Sequence, residues 1–322
     1  MFPTAIFGVK SMNKVKIKAY AKVNLTLEIT GVENGYHLLD SFVCSIDVFD
    51  LIVLKKRKSP LSTVTMHGLG SESIPLEKNN AWKAAEAFSK EFGTNGVEIT
   101  VYKNIPMGAG LGGSSADVSG VLNGMAKLYG VEDREKLKAI ADKLGSDTGY
   151  MLSGGFARMQ GRGEIVTPIE TNTKLNFLLL CPKSEVSAGG CYKKYDELPR
   201  TLEWRESFTQ NCIQATCEND QKGIGRSVMN DLYIPALHIN SDVQKAYEEL
   251  QSFSPLGVAM TGSGSCVFAL FESMELCRWA ESRYKGKFRT ILAQSVIPET
   301  RKEKKSWKNP FVLSDEEQNL ID

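Results

Sequence analysis

The chain has no long hydrophobic run and no excess of charge of either sign. Its apolar runs, such as Phe177 to Cys181, are far too short to cross a bilayer, and its N-terminus lacks the apolar core of a signal peptide. The 39 Lys and Arg residues nearly balance the 38 Asp and Glu residues, for a net charge of +1. The composition therefore argues against membrane and nucleic-acid partners and predicts a cytoplasmic protein.

Cysteine is present but follows no metal-binding or disulfide pattern. The seven cysteines include no Cys-x-x-Cys pair, and their odd number leaves one without a partner. We expect reduced thiols rather than zinc ligands or a disulfide framework. A chain of 322 residues is long enough to form two domains with a substantial core.

The most informative segment is a glycine-rich stretch that leads into a predicted helix. Apolar residues recur at steps of three and four from Val118 to Tyr129, Ser114 or Ser115 can cap the start, and Gly130 lies just past the end. Glycines let backbone N–H groups point inward, and a helix N-terminus adds unpaired N–H groups. This pattern predicts a phosphate-binding loop. Its residues are Pro106, Met107, Gly108, Ala109, Gly110, Leu111, Gly112, Gly113, Ser114, Ser115 and Ala116.

Two well-known phosphate loops do not fit this stretch. Gly108, Gly110 and Gly113 spell Gly-x-Gly-x-x-Gly, but Pro106 interrupts the approach from the preceding strand pattern, and another helix pattern follows. No Gly-Lys-Ser or Gly-Lys-Thr ends the run, which excludes a Walker loop. A glycine turn with a purely structural role stays open at this point.

Two polar segments near the N-terminus are candidate parts of a site. Lys22 and Asn24 share one face of an alternating strand pattern whose other members on that face are also polar. Such a face is either solvated or functional. Asn34-Gly35 predicts a tight hairpin turn, followed directly by Tyr36 and His37, which could be ordinary hairpin residues.

Two later segments are equally ambiguous when each is taken alone. Asp147 lies between a predicted helix end and a glycine-rich turn, where it could simply cap a helix. The small residues from Thr261 to Ser265 separate two strand-like runs, and could form either a hairpin or a second phosphate-facing turn.

In this order, the segments resemble the kinase superfamily that includes galactokinase, homoserine kinase and mevalonate kinase. The resemblance extends from about residue 14 to about residue 299 and is carried by Ala21-Lys22-Val23-Asn24-Leu25, Gly35-Tyr36-His37, the glycine-rich loop, Leu144-Gly145-Ser146-Asp147 and Met260-Thr261-Gly262-Ser263-Gly264. The first two motifs are similar to those of the 4-diphosphocytidyl-2-C-methyl-D-erythritol kinases in particular. Ser114 stands where that family usually has a glycine, so either Ser114 or Ser115 could face the phosphates.

The resemblance implies an α+β fold of two domains and a reaction. We expect an N-terminal domain similar to ribosomal protein S5 over residues 1–170, a C-terminal ferredoxin-like domain over 171–300, and a polar tail over 301–322. The implied reaction is transfer of phosphate from ATP, with Mg²⁺, to the 2-hydroxyl of 4-diphosphocytidyl-2-C-methyl-D-erythritol. The implied partner is this small molecule, without nucleic acid or membrane, and the protein is expected to be a monomer or a homodimer.

The resemblance also assigns roles to single residues. Asp147 would be the catalytic base, and Lys22 would lie beside it. Asn24, Tyr36, His37 and Tyr192 would bind the substrate, with the two tyrosines stacking on its cytosine. No side chain is expected to form a metal site by itself. There are two alternatives to this function. One is a kinase for homoserine or a mevalonate derivative, and the other is a relative that binds a metabolite without catalysis.

Overall fold

The computed structural model describes residues 12–199 and 206–299. The predicted tail at 301–322 lies outside the described residues, as do the residues before Met12. The strands are β1 (Lys14–Asn24), β2 (Thr26–Glu33), β3 (Tyr36–Lys56), β4 (Thr63–His67), β5 (Val97–Tyr102), β6 (Phe156–Gly161), β7 (Ile165–Pro168), β8 (Asn176–Cys181), β9 (Met229–Asn230), β10 (Gly257–Met260), β11 (Val267–Phe271) and β12 (Arg289–Gln294). The α-helices are α1 (Asn80–Phe92), α2 (Gly113–Tyr129), α3 (Arg134–Leu144), α4 (Thr148–Met151), α5 (Ala188–Glu197), α6 (Phe208–Cys217), α7 (Gln221–Ser227), α8 (Tyr233–Ile239), α9 (Ser241–Gln251) and α10 (Met274–Arg283).

The first sheet has eight strands arranged around the long strand β3. β3 pairs antiparallel with β1, with Lys14 opposite Lys55 and Asn24 opposite Val43, and also with β2, β5 and β6. Helix α2 packs against β1 and β3, and α1 packs against α2. The apolar face predicted for α2 is confirmed. Its buried members include Val118, Val121, Leu122 and Met125.

The second sheet has four antiparallel strands in the order β10-β11-β8-β12. Helices α9 and α10 pack against it, and the chain visits these elements as β8, α9, β10, β11, α10, β12. This order of strands and helices is that of a ferredoxin-like unit. The predicted α+β fold class is therefore confirmed.

Part of the chain after β8 returns to the first sheet. β9 pairs parallel with β2, with Met229 opposite Thr26, and α6 packs against β2 and β3. The Thr26 and Thr209 hydroxyls are 2.8 Å apart, so this contact is polar as well as apolar. The predicted division at residue 170 stays a prediction.

The expectation that every cysteine is a reduced thiol was wrong. Cys181 ends β8 and Cys266 directly precedes β11. The register that places Val267 opposite Leu180 also places these two cysteines side by side. The structure contains a disulfide between them. Their Cα atoms are 4.4 Å apart across a separation of 85 residues. The pair is created by strand register, which spacing along the sequence does not reveal. Cys44, Cys191, Cys212, Cys217 and Cys277 are free.

Among the described residues, no helix is both long enough and apolar enough to cross a membrane.

Candidate active site

The glycine-rich loop leads into α2 through glycine rather than serine. The residue that caps α2 is Gly112, in the left-handed conformation at φ 73°, and no side chain makes a capping hydrogen bond. The prediction that Ser114 or Ser115 caps α2 was therefore wrong, since both lie within its first turn. A glycine cap leaves the first N–H groups of the helix available to a ligand. At the other end, Gly130 is left-handed and closes the helix as predicted.

The loop lines a cavity of about 320 Å³. Residues that precede or begin α1 also line it, including Lys78, Asn79 and Asn80. The Ser114 hydroxyl accepts a hydrogen bond from Asn80 Nδ2 at 2.7 Å, whereas Ser115 lines both this cavity and a second one beside it. Ser115 is therefore the better placed of the two serines to reach groups in both cavities.

A buried cluster of charges joins the two ends of the loop. Lys103, directly after β5, donates hydrogen bonds from Nζ to Asp50 of β3 and to Asp117 of α2, the latter at 2.7 Å. Asp50 Oδ1 also accepts the backbone N–H groups of Asn104 and Ile105 at 2.6 and 2.9 Å. Strand β3, the start of the loop and the first turns of α2 are thereby held together.

One ammonium cannot balance two carboxylates in this cluster. Burial opposes the charge of Lys103, but Asp117 and Asp50 outweigh it and raise the pKa of the ammonium. Burial raises the pKa of Asp117 to about 7, despite the opposing charge of Lys103 and with a smaller contribution from Asp50. Asp117 Oδ1 is buried without a hydrogen-bond partner in the described part of the chain. Asp117 therefore takes up a proton at a higher pH than an ordinary aspartate does.

This shift predicts a pH dependence of stability. A carboxyl whose pKa is higher in the folded than in the unfolded chain binds more protons when folded, so its contribution to stability falls as the pH rises from about 4 to about 7. Asp117→Asn replaces this carboxyl group with an amide that does not titrate. We expect the melting temperature of the wild type, minus that of the variant, to be larger at about pH 5 than at about pH 8. Thermal unfolding followed by circular dichroism measures it, and an equal difference at both values would contradict the assignment.

Lys22 and Asn24 are buried, so the face they share is not solvated at this point of the strand. Each is 4% exposed, and Thr26 and Glu28 on the same face are buried as well. Lys22 Nζ donates to Asn24 Oδ1 at 2.5 Å and lies 3.3 Å from Asp147 Oδ2. A buried ammonium held between an amide and a carboxylate is typical of a functional site rather than of a strand surface.

Asp147 lies at the start of the short helix α4, but its side chain does not cap it. The structure shows no capping hydrogen bond from the Asp147 side chain to α4. Its carboxylate faces Lys22 at the second cavity and is 30% exposed. The capping interpretation of Asp147 therefore loses its physical basis.

The segment from Thr261 to Ser265 is a hairpin loop that contacts the glycine-rich loop. It joins the antiparallel strands β10 and β11. Asn24 N donates to Thr261 Oγ1 at 3.1 Å, Gly262 N donates to Asn24 Oδ1 at 3.0 Å, and Thr261 Oγ1 donates to the Gly110 carbonyl at 3.3 Å. Asn24 thus connects the hairpin loop to Lys22 and the first sheet.

The second cavity, of about 690 Å³, is lined by Lys22 and Asp147 and by the predicted recognition residues. His37 stacks on Tyr192 with ring centroids 4.8 Å apart, and its Nε2 lies 2.9 Å from Asp196 Oδ1. Burial, followed by the charge of Asp147, raises the pKa of the Tyr192 hydroxyl. Tyr36 is half exposed at the edge of the cavity.

The two cavities share a wall formed by Gly110, Gly112 and Ser115. The two cavities are therefore adjacent, with Lys22 and Asp147 lining the second. The described residues contain no group of three or more His, Cys, Asp or Glu side chains that could hold a metal ion. A glycine-rich loop at a helix N-terminus, a carboxylate beside a lysine, and a second cavity together form the arrangement expected of a small-molecule kinase.

Several residues at the site had not been predicted from the sequence. They are Asp50, Lys103, Asp117, Arg162 and Asp196. The only local signal for the buried cluster is a charge in an apolar setting: Asp50 interrupts the apolar end of β3, and Asp117 lies at the start of an apolar helix.

Comparison with known proteins agrees with this class. The model of the GHMP kinases N terminal domain matches residues 79–157, and that of the GHMP kinases C terminal matches residues 212–276. A homoserine kinase from Cytophaga hutchinsonii superposes with a TM-score of 0.71 at 18% identity, over 92% of this chain and 98% of that one, and shares the fold. The chain is thus a kinase of the GHMP class by fold and by site.

Closer relatives define the family. A 4-diphosphocytidyl-2-C-methyl-D-erythritol kinase from Clostridium beijerinckii is 33% identical over 287 residues, which is 88% of this chain and 100% of the relative. Another 4-diphosphocytidyl-2-C-methyl-D-erythritol kinase, from Carboxydothermus hydrogenoformans, is 35% identical over 263 residues, which is 80% of this chain and 89% of the relative. The crystal structure of a 4-(cytidine 5'-diphospho)-2C-methyl-D-erythritol kinase superposes with a TM-score of 0.70 at 26% identity. The match covers 87% of this chain and 98% of that one. The chain belongs to the family of 4-diphosphocytidyl-2-C-methyl-D-erythritol kinases.

Proposed function

We propose that this protein transfers the γ-phosphoryl group of ATP to the 2-hydroxyl of 4-diphosphocytidyl-2-C-methyl-D-erythritol, giving the 2-phosphate and ADP in isoprenoid precursor biosynthesis. Family membership supports the reaction. The observation that carries the residue assignments is the Lys22–Asp147 pair, which lies beside the shared wall of the two cavities. The assignments of single residues below are our proposals.

Asp147 acts as the general base. Its carboxylate is open to the second cavity, where it can accept the proton of the attacking hydroxyl. Lys22 lies 3.3 Å away, where its positive charge stabilises the negative charge that develops on the transferred phosphoryl group. The hydrogen bond from Lys22 to Asn24 fixes the position of the ammonium.

The loop from Pro106 to Ala116 binds the phosphates of ATP through its backbone N–H groups and the N-terminus of α2. Mg²⁺ would be held mostly by phosphate oxygens and water, with two protein groups as further candidate ligands: the Ser115 hydroxyl, since Ser115 lines both cavities, and the Asp147 carboxylate, which lines the second. When bound, the ion would neutralise negative charge on the phosphates.

The cytosine binds at the end of the second cavity that carries Tyr36, His37 and Tyr192. If His37 donates from Nε2 to Asp196, its Nδ1 becomes an acceptor, which suits the amino group of cytosine. Because His37 already covers one face of Tyr192, the base stacks on Tyr36 or on the other face of Tyr192.

We also propose that the protein is a cytoplasmic monomer or homodimer, and that its two domains divide at residue 170.

A coupled assay of ADP release tests the reaction. We expect turnover with 4-diphosphocytidyl-2-C-methyl-D-erythritol, and little with homoserine, mevalonate or methylerythritol phosphate at the same concentrations. Efficient turnover of methylerythritol phosphate would contradict recognition through the cytidine. Efficient turnover of homoserine or mevalonate would replace the proposed substrate.

Tyr36→Ala tests the base-binding role. Loss of one stacking ring should raise KM for the cytidine substrate by about tenfold, since stacking on an aromatic ring contributes about 1 to 3 kcal/mol per base. The kcat value and the KM for ATP should change little. Tyr102→Ala is the matched control, because Tyr102 is also half exposed and stacks on a histidine, but lies outside the second cavity. Equal effects of the two substitutions would reject the stacking role.

A further inference from the structure

The second cavity contains two cations that the reaction as described so far leaves without a role. Lys22, Arg162 and Lys193 all line it. Lys22 is engaged by Asp147 and Asn24. The proposed substrate brings a diphosphate into this cavity, and negative charges that leave water need positive partners.

Arg162 lies in the turn between β6 and β7, and its position is well defined by its neighbours. Its backbone N–H donates to Glu164 Oε2 at 2.6 Å, and Gly161 and Gly163 on either side have φ angles of 68° and 104°. Glu164 is therefore bound to the backbone of Arg162. Within the residues that the structure describes, the guanidinium makes no ion pair with a carboxylate, and it lies over the ring of Tyr36 with Cζ 3.6 Å from the centroid.

Stacking occupies the face of a guanidinium and leaves its edge free. The five N–H donors lie in the guanidinium plane, in a fork that matches two phosphate oxygens. A lysine ammonium has no such plane. Stacking also lowers the entropy that the Arg162 side chain loses when it binds a ligand, since Tyr36 already restricts it.

We propose that Arg162 is a specificity-determining residue that binds the diphosphate of the substrate while it covers one face of Tyr36. This proposal rests on the proposed function. It makes the Arg162–Tyr36 pair a single recognition unit, in which the ring binds the base and the guanidinium distinguishes a cytidine diphosphate from a neutral nucleoside. Lys193, on α5, has no ring or carboxylate contact that would hold its ammonium in place among the described residues.

The test compares two fragments of the substrate, cytidine and cytidine diphosphate, as ligands of the full chain by calorimetry. Arg162→Gln should weaken the binding of cytidine diphosphate by about tenfold or more, the usual scale of a lost charge-assisted hydrogen bond, and change that of cytidine less than about twofold. The affinity of Arg162→Lys for cytidine diphosphate should lie between those of the wild type and Arg162→Gln, because lysine keeps the positive charge but lacks the planar fork of N–H donors. The KM for the full substrate should rise in the same order, with kcat nearly unchanged.

Arg283→Gln is the matched control, since Arg283 also lies over an exposed ring, that of Trp279, but is outside the cavity. Equal weakening of both fragments by Arg162→Gln would overturn the proposal, because Arg162 would then only support Tyr36. Unchanged binding of both fragments would overturn it too, and a selective loss with Lys193→Gln instead would assign the diphosphate to Lys193. If the wild type turns over the full substrate in any of these cases, the proposed function stands while the role of Arg162 fails.

Discussion

Asp147→Asn should lower kcat by about two orders of magnitude or more, because the amide cannot accept the proton of the attacking hydroxyl. The KM for the acceptor and for ATP should change much less. The coupled ADP-release assay measures kcat, and a single-turnover experiment shows whether the chemical step is the one that has slowed.

The structure removes the usual difficulty in interpreting this variant. Asparagine caps a helix about as well as aspartate, so a capping role would survive the substitution. Here the Asp147 side chain makes no capping hydrogen bond, and 30% of it is exposed. The melting temperature should therefore change little. Near-normal turnover in a stable variant would contradict the catalytic assignment and place the base elsewhere.

Lys22→Met completes the experiment. The 3.3 Å contact implies that Lys22 and Asp147 act on the same proton transfer. We expect kcat to fall in Lys22→Met, and the loss in the double variant to be smaller than the product of the two separate losses. Multiplicative losses would mean that the two residues act independently. Since Lys22 is buried, a melting curve must accompany each kinetic measurement.

Elements defined by local periodicity were predictable from the sequence. The apolar face of α2, its end at Gly130 and the hairpin turn at Asn34-Gly35 depend on residues close together in the chain, and all three are confirmed. The start of α2 was less predictable. A serine and a glycine can each begin a helix, and contacts from other segments decide which one does.

The chemistry of the site depends on contacts between distant segments. Lys22 and Asn24 lie on a polar strand face that looks solvated in the sequence, yet both are buried because other parts of the chain cover them: Asp147 and the hairpin loop at Thr261. The Lys103 cluster joins residues of three elements. The disulfide depends on the register of β8 against β11. Periodicity contains no information on such contacts, so they could not be predicted without a family to compare.

Gly110→Ala should lower kcat/KM by about 100-fold or more, for a reason that the loop sequence alone does not give. Gly110 has φ 74°, and a Cβ built on it would lie 2.1 Å from the backbone carbonyl oxygen of Thr261. Gly262 approaches from the other side, where its own Cβ would lie 2.9 Å from the Gly110 oxygen. Two backbones meet at this point, so a methyl group must push the glycine-rich loop and the hairpin loop apart.

That displacement would act on both cavities, because Gly110 belongs to their shared wall. A shift of about 1 Å at the reacting groups is enough to cost about 100-fold in rate. We therefore expect the KM for ATP to rise and kcat to fall together, as measured by the coupled assay.

Gly130→Ala is the control that separates steric conflict from backbone strain. Gly130 has φ 70°, close to that of Gly110, but nothing lies within 4 Å of its Cβ position. Both substitutions therefore carry the strain of a left-handed alanine, about 1 kcal/mol, and both should lower the melting temperature. Only Gly110→Ala should also lose activity. If the two variants lose activity equally, the glycine at 110 serves the conformation of its turn alone, and the contact between the two loops has no part in catalysis.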